Sequence, residues 1–99
     1  MTDKLSQHRK LDAPAEHASY AGHFPGNAVV PGVLLLDLVV EAVALGAPRT
    51  VDQVKFQRAL KPGETFDLAW SAHGDQVNFR CERGGQLLAA GRMSFGRRA

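Results

Sequence analysis

A single cysteine, Cys81, excludes an internal disulfide and any zinc site built from a cysteine cluster. It stands in an alternating pattern, where a thiol serves as a small buried apolar group. Aromatic residues are few, at 7%, and no nucleic-acid-binding motif accompanies them. Excess charge is also small: the formal net charge is +2, and Arg92, Arg97 and Arg98 make the C-terminal end basic. No apolar run approaches the roughly 18 residues that a membrane-spanning helix needs. Residues 28–40 come nearest, and Asp37 interrupts them. Met1-Thr2-Asp3-Lys4 is followed by no apolar signal segment, so a cytoplasmic location is expected. Neither a Gly-x-Ser-x-Gly element nor a phosphate-binding glycine loop occurs.

What is present concentrates in one stretch. From Tyr20 to Asp37 the chain reads as a glycine- and proline-rich loop that ends in a very apolar helix. Pro14, Gly22, Pro25, Gly26 and Pro31 leave no room for a long regular element over residues 14–31. Irregular segments of that length are unusual in small proteins, and they often carry function. Pro31-Gly32 suits a helix start, because proline lacks an N–H that would have no partner there. Val33 to Leu45 is apolar except for Asp37 and Glu41, and Gly46-Ala47-Pro48 ends it. Such a helix, about 20 Å long, is expected to be buried on most sides.

Outside that stretch the period is two. Residues 8–13 suggest a first strand. After Pro48, Val54, Phe56 and Leu60 share one parity. Lys61-Pro62-Gly63-Glu64 reads as a turn. Phe66, Leu68, Trp70 and Ala72 alternate with polar or small residues, and Val77, Phe79 and Cys81 do the same. Leu87, Ala89, Gly91, Met93 and Phe95 complete the series. Gly74-Asp75 and Gly84-Gly85 are hairpin signals. Four antiparallel strands therefore follow one apolar helix, and the helix is the only available cover for their apolar faces. The expectation is a single α+β domain over residues 1–99, an antiparallel sheet wrapped around one long central helix, as in the hotdog fold. A chain this short gains burial by pairing with a second copy.

Gly22-His23-Phe24-Pro25-Gly26, then Val30-Pro31-Gly32-Val33-Leu34, then Asp37 closely resembles the active-site segment of hotdog-fold 3-hydroxyacyl-acyl carrier protein dehydratases. Those enzymes carry a His-Phe-Pro-Gly type loop, a Met-Pro-Gly type helix entry and an acid 14 residues after the histidine. Asp37 stands at that spacing from His23. Val54 to Glu64 also looks like the family's strand and Pro-Gly turn. Val30 replaces the usual Met, and Glu41 stands where well-known members have Gln. The short N-terminal part is similar to compact relatives of aryl-polyene type pathways.

The resemblance implies dehydration of a 3-hydroxyacyl thioester, carried by acyl carrier protein or coenzyme A, to a trans-2-enoyl thioester. It implies no cofactor and no metal. It makes His23 the base, and an imidazole titrates close to working pH. It makes Asp37 the acid; burial in an apolar helix and the nearby Glu41 both favour a protonated donor. It assigns substrate contacts to Phe24, Pro31, Gly32 and Val33, with the Gly32 N–H polarising the thioester carbonyl. It also implies a homodimer, or a higher homo-oligomer, whose sites pair His23 of one chain with Asp37 of the other. Lys55, Arg58, Arg92, Arg97 and Arg98 are candidates to meet an acidic carrier protein; no nucleic acid and no membrane is expected as a partner. Two rivals remain at this point: a hotdog thioesterase in which Asp37 or Glu41 activates water, and a non-catalytic acyl or carrier-protein binding module. His23 as a turn-capping residue and Asp37 as a structural carboxylate are the plainer readings.

Overall fold

The computed structural model describes residues 6–17 and 29–96. Along the chain run β1 (Gln7–Asp12), α1 (Gly32–Val43), β2 (Pro48–Phe56), β3 (Thr65–His73), β4 (Gln76–Arg83) and β5 (Gln86–Phe95). The strands form one five-stranded sheet in the order β1-β3-β4-β5-β2. Every neighbouring pair is antiparallel. Two-residue turns join the three central strands, with Gly74, Gly84 and Gly85 at positive φ, as tight hairpins require. The alternation in β3 and β4 places Phe66, Leu68, Trp70, Val77, Phe79 and Cys81 on the buried side. Leu34, Leu35, Val39, Ala42 and Val43 of α1 join them in one apolar core.

Three details differ from the expected pattern. In β5 the buried residues are Leu88, Ala89, Met93 and Phe95, whereas Leu87 is only partly buried. A bulge between Cys81 and Glu82 in the β4–β5 ladder accounts for this, because one extra residue switches the side that follows it. In β3, Ser71 is buried and Ala72 exposed, although the ladder is continuous there. The helix ends earlier than Leu45. Ala44 takes a left-handed conformation (φ 63) and its N–H donates to the Val40 carbonyl at 3.1 Å, so the chain leaves the helix before Gly46.

The helix is also less enclosed than its composition suggests. Val33, Asp37 and Glu41 are exposed, with Val33 73% accessible. Their spacing of four residues puts them on one stripe. One side of α1 meets the sheet, and this stripe is left open in the single chain.

Candidate active site

The segment between β2 and β3 positions everything around the helix start. Its far end is a turn, Lys61-Pro62-Gly63-Glu64, in which the Glu64 N–H donates to the Lys61 carbonyl at 3.1 Å and Gly63 has φ 82. Proline followed by a positive-φ glycine is the chemistry of a type II turn. The Gly63 N–H donates to the Ala13 carbonyl at 3.2 Å, and the Ala13 N–H to the Glu64 carbonyl at 2.9 Å. The turn is thereby tied to the end of β1. At its near end, the Gln57 and Arg58 N–H groups converge on the Leu88 carbonyl at 2.7 and 3.3 Å. In the middle, the Val30 N–H donates to the Leu60 carbonyl at 2.7 Å. That last bond holds the helix entry against the segment.

Helix α1 starts behind Pro31, whose extended backbone (φ −61, ψ 147) turns the chain inward and whose carbonyl accepts the Leu35 N–H at 3.0 Å. Among the described residues no side chain caps the helix, and no acid lies in its first turn. The first backbone N–H groups therefore carry the positive end of the helix dipole with no side chain of their own helix to answer it. Beside the helix start lies an apolar groove of about 590 Å³, walled by Val30, Pro31, Gly32, Val33, Leu36 and Phe56. A Cβ added to Gly32 would stand 2.8 Å from the Phe56 ring. Only glycine lets that ring, or a ligand, come so close to the backbone. A groove of this kind takes an aliphatic chain along its walls and a carbonyl oxygen at the helix start.

Of the residues singled out from sequence, Pro31, Gly32 and Val33 meet in this groove. His23 and Phe24 lie outside the described residues. Asp37 is exposed rather than buried among apolar side chains, because only one side of α1 faces the sheet. It does not line the groove of its own chain; with Glu41 it faces outward on the Val33 stripe.

The basic residues separate. Arg58 borders the apolar groove, whereas Lys55 and Arg92 line a different depression with Gln53 and Asn78. Arg97 and Arg98 lie outside the described residues. Arg92 Nε is 3.6 Å from Asp52, a residue that also accepts hydrogen bonds from Thr50 Oγ1 at 2.7 Å and Ser94 Oγ at 2.9 Å. Those hydroxyl bonds, Thr50 first, hold the Asp52 carboxyl below its usual range, and Arg92 adds to the effect. Arg92 is thus occupied in joining β2 to β5. Sequence reasoning missed Phe56, which alternation assigned to the core. It is 51% exposed and covers Gly32.

Among the described residues, no cluster of three or more His, Cys, Asp or Glu is placed to hold a metal ion. No helix among them is long and apolar enough to cross a membrane.

Comparison with known proteins decides the family. The profile of the ApeI-like family, described as ApeI dehydratase, matches residues 2–92. The chain belongs to the ApeI-like dehydratase family. Curated relatives are 3-hydroxyacyl-[acyl-carrier-protein] dehydratases FabZ. That of Oenococcus oeni is 41% identical over half of this chain and 44% of the relative. That of Thermomicrobium roseum is 34% identical, over 77% of this chain and 62% of the relative. The chain thus spans about half to three-fifths of the length of these relatives. Among solved structures, the dehydratase heterocomplex ApeI:P from Xenorhabdus doucetiae superposes with a TM-score of 0.76. It covers 98% of this chain and 100% of that one, at 24% identity. A fluoroacetyl-CoA-specific thioesterase superposes at 0.60 with 15% identity, over 88% of this chain and 84% of that one. At such identities the structures speak for the fold alone, and that fold is the α+β hotdog.

Proposed function

We propose that this ApeI-like family member is a cytoplasmic hydro-lyase that converts 3-hydroxyacyl thioesters of acyl carrier protein to trans-2-enoyl thioesters in fatty acid or polyketide-like lipid biosynthesis. The observation that carries the reading is the apolar groove lined by Pro31, Gly32 and Val33 at the helix start. The acyl chain lies along the groove, and the thioester oxygen accepts from the Gly32 N–H as enolate character develops. His23 takes the proton from C2. The C2–H electron pair becomes the C2=C3 double bond, the C3–O bond breaks, and Asp37 gives a proton to the departing hydroxyl, which leaves as water. The scheme uses neither metal nor cofactor.

Asp37 is exposed and does not line the groove of its own chain, which supports a site completed across two chains. A second copy covering the Val33-Asp37-Glu41 stripe would bring its groove and His23 to this Asp37. The solved relative is a heterocomplex, so a non-identical hotdog subunit is the alternative cover.

The test is hydration of a trans-2-enoyl thioester, followed by loss of ultraviolet absorbance, in wild type, His23→Ala and Asp37→Asn. Each variant should lose at least about 100-fold in kcat, the usual range for a general acid or base, with association intact. Release of free thiol in place of hydration would make the protein a thioesterase. Neither reaction on several chain lengths and both carriers would make it a binding module or the half of a heterodimer, which adding the missing subunit would distinguish.

A further inference from the structure

Among the described residues that wall the apolar groove, Phe56 is the one aromatic side chain, and it is 51% exposed. Its root is fixed by the sheet. Phe56 pairs with Ala89 in the β2–β5 ladder, and the next N–H, that of Gln57, donates to the Leu88 carbonyl at 2.7 Å. Its tip lies on the helix start. The ring atoms nearest a Cβ built on Gly32 are Cζ at 2.8 Å, Cε1 at 3.0 Å and Cε2 at 3.2 Å. These are the outer atoms of the ring, so it meets Gly32 end-on. With its root held and its tip against Gly32, the ring makes room there only by turning about its own side-chain bonds. The N–H that receives the thioester oxygen and the tip of this ring therefore belong to one place, the Gly32 residue.

Resting on the dehydratase reading above, we propose that Phe56 sets specificity at C2 of the acyl group, admitting thioesters unbranched at that carbon and rejecting those with a methyl there. The bond count is short. With the thioester oxygen about 2.9 Å from the Gly32 nitrogen, C1 is one bond from that oxygen and C2 is two. C2 is hence the first carbon of the chain beyond the carbonyl to meet the ring. The space between ring and helix start already refuses a Cβ on the protein side, and a methyl on the substrate is the same size. One methyl in an apolar pocket is discriminated by about 10- to 200-fold. The rejection reaches the chemistry as well as binding, because C2 carries the proton that the base removes. A branched acyl group pushed off the ring takes that proton out of line.

The experiment follows dehydration of 3-hydroxybutanoyl and 2-methyl-3-hydroxybutanoyl thioesters of N-acetylcysteamine, the branched one as both C2 epimers, by gain of enoyl absorbance. Wild type should favour the unbranched substrate in kcat/KM. In Phe56→Ala that ratio should fall about tenfold, chiefly because kcat/KM for the branched substrate rises. Phe56→Leu, which keeps an apolar side chain but withdraws the ring tip, should fall between. Comparing ratios cancels the intrinsic effect of the methyl on reactivity. Val51→Ala, on the same strand but outside the groove, should leave the ratio at the wild-type value. A wild-type ratio in both Phe56 variants overturns the proposal, and so does a ratio near one in wild type. If wild type turns over neither substrate, the dehydratase reading fails separately. In that case, or if both Phe56 variants lose all turnover, titration calorimetry with the saturated butanoyl and 2-methylbutanoyl thioesters decides. A wild-type preference for butanoyl that Phe56→Leu abolishes upholds the proposal; an unaltered preference, equal binding in wild type, or no binding removes it.

Discussion

Single residues show how much a side chain's role depends on its neighbours. A Cβ on Gly91 would run into the Gln53 backbone oxygen and come within 2.8 Å of the Val54 side chain. Backbone cannot yield as a flexible side chain can, so Gly91→Ala should lower stability by about 1–3 kcal/mol, measured by chemical denaturation. Cys81 is fully buried, and burial pushes its thiol from 9.0 up to about 12. Because the unfolded thiol ionises first, the stability it leaves intact below pH 9 should be lost progressively as pH rises from about 9 towards 12. Cys81→Ala should flatten that alkaline limb, and the native wild-type thiol should resist labelling until the chain is unfolded. The burial of Cys81 was legible, since β4 alternates cleanly. The exposure of Asp37 was not. Composition shows that a helix is apolar without showing which of its sides the same chain can reach.

At the level of elements, the turns were the easiest to read. Gly74-Asp75, Gly84-Gly85 and Pro62-Gly63 each contain a glycine at positive φ, a conformation that few other residues adopt. The β5 parity was hidden because Leu87, Leu88, Ala89 and Ala90 are apolar on both sides, leaving no contrast to mark the bulge. The helix end was misplaced for a related reason. Gly46 is the expected stop, yet Ala44 makes the left-handed turn two residues earlier and Gly46 has its own positive φ of 83. An alanine there bears a steric penalty that glycine escapes. Ala44→Gly should therefore raise stability by about 1 kcal/mol, read from the denaturation midpoint, with activity untouched. The groove was legible from Pro31-Gly32-Val33, but its second wall was not. Phe56 and Arg58 are brought to the helix start by hydrogen bonds between distant backbone atoms, such as Val30 to Leu60, that leave no trace in local pattern.

At the scale of the whole molecule, the stripe on α1 is an open apolar surface among the described residues. Val33 is a large apolar side chain with 73% of its surface exposed, and it sits beside half-exposed Phe56. Val33→Glu should shift sedimentation velocity from dimer to monomer, and wild-type specific activity should fall on dilution as association is lost. A wild type that sediments as a monomer at all concentrations would remove the homodimer and point to a non-identical partner. The sheet order carries a consequence of another sort, one of time. β3, β4 and β5 are joined by two-residue turns, so their contacts are local and quick to close. β1 and β2 lie on opposite edges, and β1 meets β3 only after the whole helix-bearing stretch between Asp12 and Thr65 has been looped out. Long closures are slow to form. In pulsed hydrogen exchange during refolding, amides of β4 should be protected before those of β1, so the strand nearest the start of the chain is among the last to join the sheet.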